Sequence, residues 1–437
     1  MVGRTMICSP SCDAEPRASR RSIRAAPRRY STLPAPLAGG GGSARMAVFA
    51  MHLVALGCDD PEAPPCVGPC TGGSGGAGGG ATASAGGAGG GEEPCSLAAG
   101  ERPRPISIGA DNRLGMALLS DGSVVCWGED TYWRCADNIM PSPILAKGPR
   151  CLATADLGEP MGAGLTPEGR VQVWGPEIGG IAGDGPGPGP AFGESLLVDV
   201  PTSDRIVSVT PGFPMLALTD QGDVYAWGVN LPEITLDTPT LYPMPEPVVA
   251  TGRDCMLTES QSVYCFGSNG QGKLGLPNLD IGQYEPVRID LDGVVWLSEM
   301  LDYACAVLAD GSVWCWGSNG SSKLGLPFPE VGIHPAPSRV EGIPPASKVF
   351  TGSTGTCAVA RDGVAWCWSG SDILGEPMLP PIPWRPDLRF VDIGGGFLHF
   401  CGLLDDGRVY CEGATFGCEG SQCFVDIDGA IDGTSGS

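Results

Sequence analysis

Short runs of apolar, β-favouring residues alternate along this chain with tight polar turns, and one such pair of runs returns seven times. The clearest copy is Cys305 to Gly317, CAVLADGSVWCWG, where Cys305-Ala-Val-Leu and Val313-Trp-Cys-Trp flank the turn pair Asp310-Gly311. Runs this short around Asp-Gly predict a β-hairpin, because glycine accepts the positive φ of a tight turn and a helix needs a longer run of 3.6-residue period. Anchored on the aromatic before the closing glycine, the copies fall at Trp127, Trp174, Trp227, Phe266, Trp316 and Trp368, with Glu412 in that slot of a worn seventh copy. The anchors lie 39 to 53 residues apart. The turn glycine recurs as Gly122, Gly169, Gly222, Gly311, Gly363 and Gly407; Gln261 replaces it in the fourth copy, where a looser or different turn is expected. A period of this length argues for one repetitive domain, in which each unit alone buries little and neighbouring units share a continuous core.

Two cysteine columns test the hairpin reading. In the last four copies they hold Cys255 with Cys265, Cys305 with Cys315, Cys357 with Cys367 and Cys401 with Cys411. Both columns are apolar in the second and third copies, Ala163 with Val173 and Leu216 with Ala226. The first copy is mixed, Met116 with Cys126. A hairpin centred on residue 310 sets 305 directly opposite 315, and opposed Cα atoms lie about 4.5–5.5 Å apart, within disulfide range. Four hairpin disulfides are therefore expected, in preference to buried free thiols; the short cysteine spacings of a zinc site are missing. Sixteen cysteines follow residue 65, an even number that fits an oxidising compartment. Eight of them (Cys66, Cys70, Cys95, Cys126, Cys135, Cys151, Cys418 and Cys423) have no pairing readable from sequence; Cys66 with Cys70 and Cys418 with Cys423 rest on proximity alone.

The amino-terminal end differs. Residues 1–45 hold eight arginines and two acids, and an apolar run from Met46 to Gly57 leads into Cys58. That order of basic region, 12-residue apolar core and small residue makes residues 1–57 a signal or targeting segment, too short in its apolar part to span a bilayer as a helix. Val54-Ala-Leu-Gly-Cys58 resembles a bacterial lipoprotein signal, in which the cysteine is lipidated, although Ala55 and His52 depart from the usual pattern. The basic stretch is long for such a signal, which leaves open a translation start inside it. The expected address is export to the bacterial cell envelope with lipid on Cys58; plain secretion and a cytosolic chain are the alternatives. Residues 58–94, largely Gly, Ala, Ser and Pro, cannot bury apolar surface and read as a flexible tether. Without residues 1–57 the chain carries 18 basic and 47 acidic residues, a net charge of −29. Such a charge excludes binding nucleic acid through phosphates and disfavours docking on anionic lipid, so membrane contact is expected only through the anchor.

The phrase C-A-x-x-x-D-G-x-V-x-C-W-G, followed by Ser318-Asn-Gly-Ser-Ser-Lys-Leu-Gly325, resembles the regulator of chromosome condensation repeat. Ser268-Asn-Gly-Gln-Gly-Lys-Leu-Gly275, Pro286-Val287 and Gly396-Phe-Leu-His399-Phe-Cys401 resemble the same repeat elsewhere in the chain. The cysteine-rich form looks like a bacterial, exported branch of that family. The resemblance implies an all-β fold, a seven-bladed β-propeller over residues 95–427, with Cys423 to Ile427 supplying a late strand that closes the ring near the first blade and 428–437 a disordered tail.

Candidate chemistry is sparse. His334 lies in a Pro-rich loop and reads as a surface residue, while His399 fills a repeat slot and reads as packing. Asp290-Leu-Asp292-Gly and Asp426-Ile-Asp428-Gly-Ala-Ile-Asp432 have some flavour of a calcium loop but lack the spaced ligands and closing glutamate of an EF-hand. No catalytic residue, metal or cofactor is expected. Trp133 and Trp384 fall outside the repeat columns and are the candidate exposed binding anchors. The reading is a monomeric, non-enzymatic propeller that binds a protein or surface ligand through loops such as Pro176 to Pro201 and Leu231 to Pro247. An inhibitor of a secreted or periplasmic enzyme and a carbohydrate-active enzyme with a carboxylate pair are the alternatives.

Overall fold

A computed structural model describes residues 48–49 and most of 97–433. Outside the described set lie 1–47, 50–96, 98–99, 112, 131–133, 136–138, 159, 176–181, 184–193, 231–234, 281, 327–331, 354, 370–377, 397–398, 414–421 and 434–437. Cys58, Cys66, Cys70, Cys95, Cys418 and Trp133 are therefore not described.

Seven antiparallel sheets, each built on four strands, form the blades of a propeller: residues 105–145, 154–198, 206–242, 248–288, 294–339, 346–384 and 390–424. The first strand of each blade is innermost, since first strands of neighbouring blades touch one another at six junctions, that of blades seven and one included. Gly394 permits that last contact: a Cβ there would stand 3.0 Å from the Ala110 amide nitrogen. In blade five, Val48–Phe49 pairs antiparallel with Glu299 and Met300 on the inner strand, and in blade three a short hairpin, Val229–Asn230 with Thr235–Leu236, precedes the outer strand.

Each sequence phrase is the hairpin of a blade's second and third strands. The two columns face each other in all seven blades. Met116 meets Cys126, Ala163 meets Val173 and Leu216 meets Ala226 in blades one to three. In blades four to seven Cys255 meets Cys265, Cys305 meets Cys315, Cys357 meets Cys367 and Cys401 meets Cys411. These four pairs are disulfides: Cys255 to Cys265, Cys305 to Cys315, Cys357 to Cys367 and Cys401 to Cys411, all eight residues fully buried. Their Cα–Cα distances of 4.0–4.1 Å fall below the spacing expected from sequence. Cys126, opposite a methionine, bonds Cys135 instead; Cys151 and Cys423 are disulfide-bonded as well. Turn geometry persists where sequence suggested otherwise. Gln261 takes φ +62° and its amide donates to Thr258 O at 2.9 Å, as Gly311 does to Leu308 O at 2.8 Å. The fourth turn is thus the same turn, held by a side-chain-bearing residue at a cost of about 1–2 kcal/mol.

The anchor aromatics are core. Trp127, Trp174, Trp227, Trp316 and Trp368 are fully buried, and a small residue stands opposite most of them: Gly115, Gly162, Ala304 and Thr356. A Cβ on Gly115 would fall 2.3 Å from the Trp127 ring. In blade seven the sizes are exchanged, with Phe400 opposite Glu412.

Two expectations for the carboxyl end are corrected. Gln422–Phe424 is the outer strand of blade seven, paired with Tyr410 to Glu412, so the late strand expected over 423–427 stops at 424. The supposed disordered tail from 428 begins as a helix, Ile427–Asp432, with Asp426 accepting from the Gly429 amide at its start and Gly433 left-handed at its end. The aspartates that suggested a calcium loop are thus a helix cap and its neighbours. Ile427 and Ala430 pack with Ile108, Ala117 and Trp127 of blade one, and Asp432 pairs with Arg102. Side chains seal the junction that a strand was expected to seal.

Candidate functional site

The two faces of the ring are built differently. On one, the turns between second and third strands are four residues long in six blades and five in blade two. Each of five inter-blade connections is tied to the preceding turn: the amides of Leu152, Val248, Val294, Ala346 and Phe390 donate to Gly122, Gly222, Gln261, Gly311 and Gly363 carbonyls at 2.8–3.0 Å. On the other face, the connections between third and fourth strands range from 8 residues (370–377) to 20 (175–194). Uniform turns define the scaffold; the variable connections define the candidate binding face.

Where those connections leave the sheet, a second repeated device fastens blade to blade. Three residues past the anchor stands a capping acceptor: Asp130, Asn269 or Asn319, which accepts the amide of Cys135, Leu274 or Leu324 at 2.8–3.0 Å. Seven residues past the anchor stands a buried cation that reaches into the next blade. Arg134 donates to Gly158 O at 2.9 Å, Lys273 to Met300 O at 3.2 Å and Lys323 to Ser353 O at 3.5 Å. Lys273 sits between Asp254 and Glu299, 3.0 Å from the latter, and Lys323 lies 2.5 Å from Asp302 and over the Tyr303 ring. Burial alone would lower the Lys273 pKa; the charges of Asp254 and Glu299 outweigh it and leave it raised. Burial likewise raises Glu299, against the pull of Lys273. Tyr303 extends the lock, its hydroxyl meeting Gly352 O at 2.8 Å and Thr356 at 3.0 Å in blade six. The Ser-Asn-Gly-x-x-Lys-Leu-Gly motif carried this device in plain view, but its use as an inter-blade clamp needs the next blade's position.

Trp384, expected as an exposed anchor, is corrected to core. It ends the outer strand of blade six, is 4% exposed, stacks on Phe390 with ring centroids 4.8 Å apart, and donates its indole N–H to Glu412 at 2.9 Å. Glu412 occupies the anchor slot of blade seven, so the neighbouring blade's tryptophan fills the space the missing ring leaves. Tyr410 also donates to Glu412, at 3.0 Å, and burial with that carboxylate pushes the phenol up to about 12.

His399 is buried, 1% exposed, and neither ring nitrogen has a hydrogen-bond partner among the described residues, as for a packing residue. Burial lowers its pKa to about 4. An unfolded imidazole titrates near 6.5, so between those values the unfolded chain binds more protons and stability falls as pH falls. Urea unfolding at pH 7 and at pH 4.5 should differ by about 2–3 kcal/mol more in the native chain than in His399→Gln. Equal pH dependence in the two would show that the buried imidazole is not titrating this way.

Carboxylate chemistry is also accounted for structurally. The buried acids among the described residues are Asp130, Glu299, Asp392 and Glu412. They are engaged, respectively, by Arg134, Lys273, Lys348 and the Trp384–Tyr410 pair. No cluster of three metal-ligating side chains occurs among the described residues.

The architecture defines the class: a seven-bladed β-propeller. The family model Regulator of chromosome condensation (RCC1) repeat matches residues 310–359. The chain is 29% identical over 199 residues to RCC1 domain-containing protein RUG3, mitochondrial, from Arabidopsis thaliana, covering 40% of this chain and 44% of that protein. It is 26% identical over 265 residues to the human RCC1-like G exchanging factor-like protein, covering 52% and 57%. The chain thus spans about half the length of these relatives. Among solved structures, Prp20p from Saccharomyces cerevisiae superposes with TM-score 0.59 at 18% identity over 70% of this chain and 84% of that one, and human WBSCR16 with 0.57 at 20% identity over 69% and 92%.

Proposed function

We propose that this chain is a non-enzymatic, exported propeller that binds a protein or surface ligand through the face of its long third-to-fourth-strand connections. The observation that carries this reading is the contrast between near-uniform turns on one face and connections of 8 to 20 residues on the other. A rigid ring with variable loops on one side is suited to recognition. Protein binding also fits the relatives: Prp20p has been studied for its binding to Gsp1p and histones, and yeast RCC1 has been crystallised with Kap60. A strongly acidic chain with disulfides suits an oxidising, exported setting better than a nuclear exchanger's role. No helix among the described residues is long and apolar enough to cross a membrane; the proposed attachment is lipid on Cys58, on the strength of the signal-like sequence before it.

The test is a crosslinking capture from envelope extracts with the disulfide-intact chain, beside a variant in which residues 175–194 are replaced by the blade-six connection, 370–377. The expected result is a crosslinked species that the replacement weakens at least tenfold; undiminished capture by the replaced chain overturns the loop-face reading. Metabolic labelling with a fatty acid should mark the native chain and not Cys58→Ala, and an unlabelled native chain removes the anchor.

A further inference from the structure

Among the described residues, six of the seven inner strands end their sheets at the ring's centre, and only the sheet of blade five continues past it. Its added strand is Val48–Phe49, antiparallel to the inner strand, with Val48 opposite Met300 and Phe49 opposite Glu299. The same two residues touch the inner strands of blades one and seven, so they lie within the ring and not on its rim. The free edge of an inner strand presents unpaired N–H and C=O groups, which an extended segment can complete. The receiving edge is held from both sides. Ser298 Oγ accepts the Thr351 amide of blade six at 3.1 Å, and Glu299 accepts the Asp254 and Cys255 amides of blade four at 2.8 Å. In the other strands that Val48–Phe49 touches, Gly109 and Ala110 of blade one and Gly394 and Gly395 of blade seven carry little or no side chain. Small residues there leave a backbone room to run between the two walls.

We propose that the channel edge at Glu299 and Met300 is a docking site for an extended apolar segment, which residues 46–57 occupy in any chain that retains them. The occupant follows from its place and its sequence. Val48 and Phe49 already pair with that edge, and they belong to the apolar run from Met46 to Gly57. Both are strong strand formers. A chain without residues 1–57, as the leader reading has it, leaves the edge unpaired and open to a strand of the same chemistry in trans. A preorganised edge loses little freedom on receiving that strand, which favours binding. Neither the loop-face reading nor lipid on Cys58 is needed for the channel to bind.

The test follows the fluorescence anisotropy of a dye-labelled peptide of residues 46–57, carrying a terminal lysine pair for solubility. It is titrated with chain 58–437, with the native full chain, and with the full chain bearing Val48→Pro and Phe49→Pro. Proline cannot extend a strand ladder, so the substituted full chain should leave the edge open. A copy held in cis acts at an effective concentration on the order of a millimolar. A peptide with Kd of about 100 µM should therefore bind the two open chains about tenfold more tightly than the native full chain. The same peptide with both prolines should not bind. Hydrogen exchange should slow in the segment holding Glu299 and Met300 when the native-sequence peptide is added, and circular dichroism shows each chain folded. The proposal is overturned if the peptide saturates neither open chain, or if the proline peptide binds equally well. It is equally overturned if the native full chain binds as tightly as the open ones, or if the slowed exchange falls only elsewhere.

Discussion

A chain in which all eight hairpin cysteines are replaced by alanine should fail to hold the propeller at 25 °C. Each of the four bonds closes a loop of 11 residues, which in the chain-entropy account stabilises by about 2.8 kcal/mol, or about 11 kcal/mol for the set. A domain's entire net stability is about 5–15 kcal/mol. The four pairs sit in consecutive blades, from Cys255 with Cys265 in blade four to Cys401 with Cys411 in blade seven, so the loss falls on one arc of the ring. Blades two and three carry apolar pairs at the same register and should be the less affected, because their hairpins never relied on the bond. Urea unfolding followed by circular dichroism is the measure, and native-state hydrogen exchange would place the opening in blades four to seven. A variant that unfolds within about 2 kcal/mol of the native chain would show that packing of the buried column, sulfur or not, does the holding. The single pair Cys305→Ala with Cys315→Ala should cost about 3 kcal/mol by itself.

The blade hairpins were legible because they are local. A turn residue fixes the register of its own two strands, and register fixes which cysteines meet, so 305 opposite 315 follows from a dozen residues. The same reasoning places Cys357 on Cys367 in blade six. Gln261 marks its limit: the blades on either side impose the turn, and a residue of modest left-handed cost complies. The burial of Trp384 is hidden from the sequence for a related reason. Its burial depends on Glu412, 28 residues away in the next blade, having given up the anchor ring. The helix at 427–432 had its signals in sequence, Asp426 as cap and Gly433 as stop, but the spaced aspartates suggested a metal loop instead. Likewise the lysine of Lys-Leu-Gly could be recognised as part of a motif, whereas its carboxylate partners in the neighbouring blade could not. What the chain hides is inter-blade, since nothing within one repeat says what the next will present to it.

Lys273→Met should therefore cost more than its single position suggests, about 3–5 kcal/mol. The lysine is 2% exposed, Glu299 beside it 1%, and Asp254 19%. Removing the cation strands two carboxylates against each other, one with no access to water, and leaves the Met300 carbonyl without its donor. Glu299 cannot simply be deleted in compensation, because its Oε1 accepts the amides of Asp254 and Cys255, each at 2.8 Å. Glutamine at 299 keeps that acceptor and sheds the charge. The double variant Lys273→Met with Glu299→Gln should accordingly recover at least about 2 kcal/mol of the single loss, a coupling expected only of groups in direct contact. Lys323→Met should cost less, since Lys323 faces one carboxylate, Asp302, that is 15% exposed and can be rehydrated. Denaturant unfolding of the four chains gives the cycle directly. If the two substitutions are additive within about 0.5 kcal/mol, the buried lysine is not neutralising Glu299, and the clamp between blades four and five rests on the Met300 carbonyl and packing.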